Sequence, residues 1–391
     1  MTGEEFQLLL CCARSEPDSG SIKERIYKGI NWRKILDLAE YHGVRPILRR
    51  TLKAVCWDHV PRETQLELER LYTSNAQRNL LFVGELLRLF AAFAHARIPA
   101  ATFKGTILAE SIYGDLSLRE FSDLDIIVHD ADVSKVEDIL TRDGYVPDFP
   151  DRDYRSAFLA YQGQYAFRNK QTGFSVDLHW RLSGKGEVFP LKVEEIWSRL
   201  EHVTICGRKV PTLANDDLSL FLAAHGTKEG WRLLKWVCDF AEILHKCRDI
   251  DWVTLLGRAE RAHCSRSLEL AMLLVSALLD APVPQKLIAK ALNNSVVRAL
   301  ADEAQRRMLS TAPAGEFREF LNGLNTHDRL RHRLWPIATL LTTRTVGDYR
   351  AMALPKALWS VYYVTRPFRL AAKAAELVIR RNQSRFRSLV R

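Results

Sequence analysis

Arg119-Glu120-Phe121-Ser122-Asp123-Leu124-Asp125-Ile126-Ile127-Val128 decides how the rest of the 391 residues is read. The run from Leu124 to Val128 is apolar and β-branched apart from one aspartate, which predicts a buried strand. Side chains alternate along a strand, so Asp123 and Asp125 share one face while Leu124, Ile126 and Val128 share the other. Two carboxylates side by side repel each other and make poor core. A divalent cation held by hard oxygen ligands would relieve that repulsion.

A third carboxylate stands in Phe174-Ser175-Val176-Asp177-Leu178-His179-Trp180. The same alternation sets Asp177 and His179 on one face and Val176, Leu178 and Trp180 on the other. Gln164 to Arg168 predicts a preceding strand, and Asn169-Lys170-Gln171-Thr172-Gly173 a hairpin turn between the two. Two Asp on one strand and one on a neighbour suit a two-metal phosphoryl-transfer site. Its ions sit roughly 3.5–4 Å apart and clamp the attacking and leaving oxygens.

Outward from this centre, short strands alternate with helices from Ile98 to Leu213. Pro99 to Phe103 predicts a first strand ending at Lys104-Gly105, and Thr106 to Tyr113 a short helix. Asp132 caps a helix through Leu140 that Gly144 closes, and Val203 to Leu213 predicts a last pair of strands around Cys206-Gly207-Arg208. The rest reads as helix. Asn31 caps a helix from Trp32, and Pro61 opens a long one to about Ala96. Leu66, Leu71, Leu80, Leu81, Leu86, Leu87 and Phe90 are its expected apolar stripe. Beyond Leu213, helices are expected over Asn215–Ala224, Trp231–Lys246, Asp251–Ala262, Ser267–Leu279 and Val283–Leu292. The expected fold class is α+β, a small mixed sheet embedded between helical regions. Its expected divisions are 1–96 (helical), 97–213 (α+β), 214–330 (helical) and 331–391 (a basic, aromatic helical tail).

Composition narrows the function classes. Hydrophobic content of 47% and charged content of 27% describe a globular chain. The longest clean apolar run, Leu270 to Leu279, is too short for a membrane span, and the N-terminus has no signal-peptide pattern. The seven cysteines include no CxxC pair and read as reduced thiols in a cytoplasmic protein. From Arg344 to Arg391 eleven Lys or Arg face only Asp348 and Glu376, so nearly all of the net charge of +10 sits there. The near-neutral remainder argues against a nucleic-acid-binding surface. The tail (Trp359, Tyr362, Tyr363, Arg366, Phe368, Arg369, Lys373, Arg380, Arg381) admits three readings: a weak contact with an anionic membrane surface, a grip on an anionic carrier or RNA, or a solvated terminus.

The string Lys104-Gly105, Tyr113, Arg119, Ser122 to Val128 and Val176-Asp177-Leu178-His179-Trp180-Arg181 resembles the DNA-polymerase-β-like nucleotidyltransferase superfamily. Within it the closer likeness is to the uncharacterised bacterial nucleotidyltransferases that occur with exopolysaccharide and peptide natural-product biosynthesis. The likeness extends through His225-Gly226 and Trp231 to Trp236, as far as Asp239. It implies metal-dependent transfer of a nucleoside monophosphate from an NTP, ATP among them, to a small-molecule or peptide acceptor, with pyrophosphate leaving. Asp123, Asp125 and Asp177 would hold Mg²⁺, or Mn²⁺, and Asp177 would take the acceptor proton. The superfamily carries Gly-Ser before the Asp pair, where this chain has Lys104-Gly105-Thr106, so phosphate binding would rest on Lys104 and a helix N-terminus. The same likeness admits a catalytically silent nucleotide-binding scaffold and an RNA-end nucleotidyltransferase.

Single residues carry two readings each. Lys104 is either a solvated strand-end lysine or a cation for the triphosphate. Arg119 either pairs with Glu120 or Asp115 or contacts phosphate. His179 is either structural, or orients Asp177 or contacts the acceptor. Trp231, Lys235 and Asp239, placed on one helix face by their spacing, either line the nucleotide, with Lys235 reaching phosphate, or pack the domains together.

Overall fold

In the computed structural model the described residues are 3–148, 162–184, 191–310, 346–352 and 354–372, with 155, 159, 189, 326, 328, 334 and 338 singly. Expectations for 329–333, for Pro336 and for 373–391, including the arginines at 380–387, lie outside them.

Four helices, α1 (Glu4–Ala13), α2 (Ser19–Tyr27), α3 (Trp32–His42) and α4 (Arg45–Val55), precede the long α5 (Arg62–His95). Asn31 caps α3, its side chain accepting the Lys34 N–H at 3.0 Å. The α/β part follows: β1 (Ala100–Thr102), β2 (Leu124–Val128), α6 (Val133–Arg142), β3 (Tyr145–Pro147), β4 (Gln164–Asn169) and β5 (Ser175–His179). These strands form one mixed sheet in the order β1-β2-β5-β4-β3. β2 runs parallel to β5, while the β1–β2, β4–β5 and β3–β4 pairs are antiparallel. The parallel register sets Asp125 opposite Asp177 and Ile127 opposite His179. The β4–β5 hairpin closes where expected. Asn169 Oδ1 accepts the Gln171 and Thr172 N–H groups, and Gly173 takes the left-handed φ of +77° that the turn requires.

After α7 (Val193–Trp197), the strands β6 (Glu201–Ile205) and β7 (Arg208–Thr212) make a separate hairpin. Helices α8 (Asn215–Lys228), α9 (Leu234–Lys246), α10 (Trp252–Arg261), α11 (Ser265–Leu279), α12 (Gln285–Asn293) and α13 (Ser295–Met308) come next. The fold class is therefore α+β, as the alternation predicts.

The sheet divides two cores. On one side Leu124, Ile126 and Val128 of β2 and Val176 and Leu178 of β5 pack with Phe82, Leu86, Leu89 and Phe93 of α5 and Val136 and Leu140 of α6. On the other, Ala101, Phe103 and Ile127 join a core shared by α1, α3, α4 and helices α8 to α13.

Two expectations about helices are corrected. Leu66, Leu80 and Leu81 of the expected α5 stripe are exposed, and the buried set is Thr64, Leu68, Asn75, Asn79, Phe82, Val83, Leu86, Leu89 and Phe93. The helix expected from Trp231 begins instead at Leu234, because Gly230 and Trp231 both have positive φ, +66° and +51°, and break it. Trp231 is therefore not on a helical face with Lys235 and Asp239.

Candidate functional site

Asp125 and Asp177 meet because β2 and β5 pair in parallel with these residues in register. The alternation that buries Ile126 and Leu178 on the α5 side turns the carboxylates toward α8 and α9. There they line a cavity of about 460 Å³, walled by Lys104, Gly105, Arg119, Ser122, Asp123 and His179 from the α/β part. Phe221, His225, Lys235, Trp236 and Asp239 line it from the helices. A volume of this size is in the range of small-molecule sites.

Asp125 is the most constrained group. Its Oδ1 accepts the Lys104 ammonium at 2.6 Å and lies 3.1 Å from His179 Nε2. Burial works against its charge, but Lys104 and the His179 hydrogen bond outweigh burial and hold the carboxyl well below the usual range. Asp177 behaves in the opposite way. Burial, followed by repulsion from Asp125 and Asp123, pushes it up to about 7. The Gln164 amide donates to Asp177 Oδ2 at 3.2 Å. Asp123, just before β2, is likewise raised, by burial first and Asp125 second.

The chemistry of this donor set fits a hard divalent cation. Ligand atoms of Asp125, Asp177 and His179 lie within 4.8 Å of one another. The raised Asp177 carboxyl marks negative charge that a cation would neutralise. Two carboxylates and one imidazole are ligand types that can hold a metal ion. His179 is buried and its pKa is lowered, chiefly by burial, which favours the neutral ring. With the proton on Nε2 it donates to Asp125. With the proton on Nδ1, Nε2 is free to act as a ligand. Asp123 stands outside this tight set but lines the same cavity.

Of the other sequence-predicted site residues, Lys104, Gly105, Arg119, Ser122 and Lys235 all line the cavity, while Thr106 is buried and does not. Gly105 has φ +48°, and a Cβ there would lie 3.3 Å from the Asp123 carbonyl, so the close approach of the two loops requires glycine. Lys235, in the first turn of α9, has its pKa lowered by burial first and by Arg119 second. Arg119 pairs with neither Glu120 nor Asp115. Its guanidinium donates to both carboxylate oxygens of Asp239 at 2.8 and 2.9 Å, and Tyr113 adds a hydroxyl at 3.0 Å. Glu120 instead receives Arg45.

Sequence reasoning missed the groups that hold this loop from behind. Asn75 and Asn79 of α5 are buried and donate to the Ser117, Leu116 and Arg119 carbonyls. Two amides four apart on the buried side of a helix are the signal that was there to find. It also missed the aromatic wall, in which His225 stacks on Phe221 at 5.6 Å and Phe103 meets both Phe221 and His179 edge-on.

Residues 28–280 match the model of a family described as "Uncharacterised nucleotidyltransferase". No curated protein matches the chain.

Proposed function

The chain belongs to the family of uncharacterised nucleotidyltransferases, and from that premise we propose that it moves a nucleoside monophosphate from an NTP to a small-molecule or peptide acceptor. The acceptor oxygen attacks the α-phosphorus, the bond to the bridging oxygen breaks, and pyrophosphate leaves. We place the chain in the DNA-polymerase-β-like superfamily and its acceptor in a bacterial biosynthetic pathway. The division at 96, 213 and 330 belongs to the same proposal.

The observation that carries this reading is the in-register pair Asp125 and Asp177, with His179, facing one cavity. Asp125, Asp177 and the His179 ring would hold the divalent cation, with Asp123 beside them. When bound, that cation neutralises charge on the triphosphate and on the leaving pyrophosphate. Lys104 and Lys235 supply fixed positive charge to the phosphates. Asp177, facing the same cavity, would accept the acceptor proton. Arg119 has a different role: bound to Asp239, it holds α9 and Lys235 against the loop that leads into β2.

The test is incubation with each radiolabelled NTP and Mg²⁺ or Mn²⁺, with small-molecule, peptide and RNA acceptors in separate arms. Label transfer and pyrophosphate release are expected, and Asp125→Ala should lower the rate about 1,000-fold, the several kcal/mol that cation-held charge stabilisation supplies. Nucleotide binding without turnover in every arm would sink the reading in favour of a silent scaffold. Transfer confined to RNA ends would replace the acceptor class.

A further inference from the structure

The described part of the tail is built inside out. The helix α14 (Val346–Ala351) and the helical residues 361–372 are held together by Asp348, which receives both Arg366 and Arg369. Tyr362 donates to the Met352 carbonyl at 2.6 Å and accepts the Leu354 N–H at 3.0 Å. Its ring packs edge-on against Tyr349, which meets Trp359 in the same way. The buried side of this unit thus contains a charged pair, with Arg366 only 1% exposed.

The opposite side is apolar. Val361, Val364 and Phe368 fall at i, i+3 and i+7, one face of a helix, and Leu358 precedes them. Val364 is 65% and Phe368 73% exposed. An arginine buried where phenylalanine and valine are left out is the reverse of what water selects. A contiguous apolar stripe of this kind marks a surface made for apolar surroundings. The sequence supplies the second half of the argument. Residues 344–391 carry a net charge of +9, eleven Lys or Arg against two acidic residues, while the rest of the chain is close to neutral.

We propose that this face docks on an anionic lipid surface. Leu358, Val361, Val364 and Phe368 would enter the boundary between headgroups and acyl chains while the net positive charge of residues 344–391 attracts lipid phosphates. No described helix is long and apolar enough to cross a membrane, so the contact is peripheral. Three of the four side chains named on the face, Leu358, Val361 and Val364, are aliphatic, which favours lipid over RNA, whose bases would call for several stacking platforms.

The experiment is flotation of the full chain with vesicles of phosphatidylcholine alone and of phosphatidylcholine mixed with phosphatidylglycerol. Binding to the mixed vesicles is expected, weakening as salt is raised. The double substitution Val364→Asp/Phe368→Asp should weaken it at least tenfold, by about the affinity that two inserted apolar side chains supply. The charge reversal Arg380→Glu/Arg381→Glu, well separated in sequence from Asp348 and Arg366, should weaken it independently and guards against a fold defect in the first variant. Failure to float with anionic vesicles, or binding unchanged in both variants, overturns the proposal. So does a concentration-dependent dimer that Phe368→Asp dissociates while vesicles are ignored, or capture of single-stranded RNA in place of lipid.

Discussion

The two faces of one five-stranded sheet are made by the same two strands and do opposite things. Toward α5 and α6, Leu124, Ile126, Val128, Val176 and Leu178 close a dry core. Toward α8 and α9, the alternate positions Asp125, Asp177 and His179 line a cavity. Nothing but the period of two separates them. The difference teaches that a strand can put its stability on one face and its chemistry on the other, at the cost of like charges buried beside each other. Asp125 is compensated by Lys104 and His179, whereas for Asp177 burial and its like-charged neighbours prevail and push it up to about 7.

The sharpest way to break that division is to ask whether every charge on the cavity face serves chemistry. Arg119 and Asp239 do not fit it. Both are buried and satisfied by each other, which makes the pair part of the structure although it borders the cavity. Arg119→Met leaves Asp239 buried without its counter-charge and is expected to cost about 4 kcal/mol of stability. Asp239→Leu in the same chain should restore most of it, because a well-packed apolar pair can replace a buried ion pair. Denaturant melts of the three proteins decide the matter. A single variant as stable as the wild type would return Arg119 to the substrate side.

On the apolar face the expected effect is somewhat smaller. Leu178 lies between Asp177 and His179 in sequence but points the other way and is wholly buried. Leu178→Ala should cost about 3 kcal/mol through the cavity it leaves. Divalent-cation affinity should stay within about twofold if the alternation of the strand keeps the two faces separate. Calorimetry with Mn²⁺ measures both. Loss of cation affinity matching the loss of stability would show that the two faces are not separable.

That division was largely readable in the chain. Asp123-Leu124-Asp125 and Val176-Asp177-Leu178-His179 declare their faces by alternation alone, and the turn at Asn169 to Gly173 declares the β4–β5 hairpin. What alternation cannot specify is which strand lies beside which. The parallel β2–β5 register that joins Asp125 to Asp177 depends on α6, β3 and β4 passing between them in sequence. Helical faces were read less well. α5 is 34 residues long, and a small drift in phase moves leucines such as Leu66 and Leu80 from core to solvent. Its buried side includes Asn75 and Asn79, polar residues that a hydrophobic stripe assigns to water. Their justification is the loop carbonyls from Leu116 to Arg119, which only the folded chain brings near. Trp231 was misplaced because Gly230 and Trp231 take left-handed conformations that spacing alone does not reveal.

Two buried imidazoles give the smallest and most specific test of the comparison. His179 sits on the chemical face with Asp125 as a hydrogen-bond partner. His42 sits away from the cavity between α3 and α9, where its Nδ1 accepts the Leu234 N–H at 3.1 Å and Phe6 packs on its ring. Burial lowers the His42 pKa from 6.5 to about 4. Between those values the unfolded chain binds a proton that the folded chain refuses, so stability is full at neutral pH and falls as pH drops through this window. The difference corresponds to about 2 kcal/mol lost between pH 7 and pH 5. His179 should lose less over the same range, because its Asp125 partner favours the protonated ring and opposes the effect of burial. His42→Gln keeps an acceptor for the Leu234 N–H but cannot titrate. Its stability should therefore be flatter than the wild type's from pH 7 to pH 5 by about 2 kcal/mol, whatever its offset at pH 7. Parallel curves for the two proteins would mean that the acid sensitivity comes from the carboxylate face and not from His42.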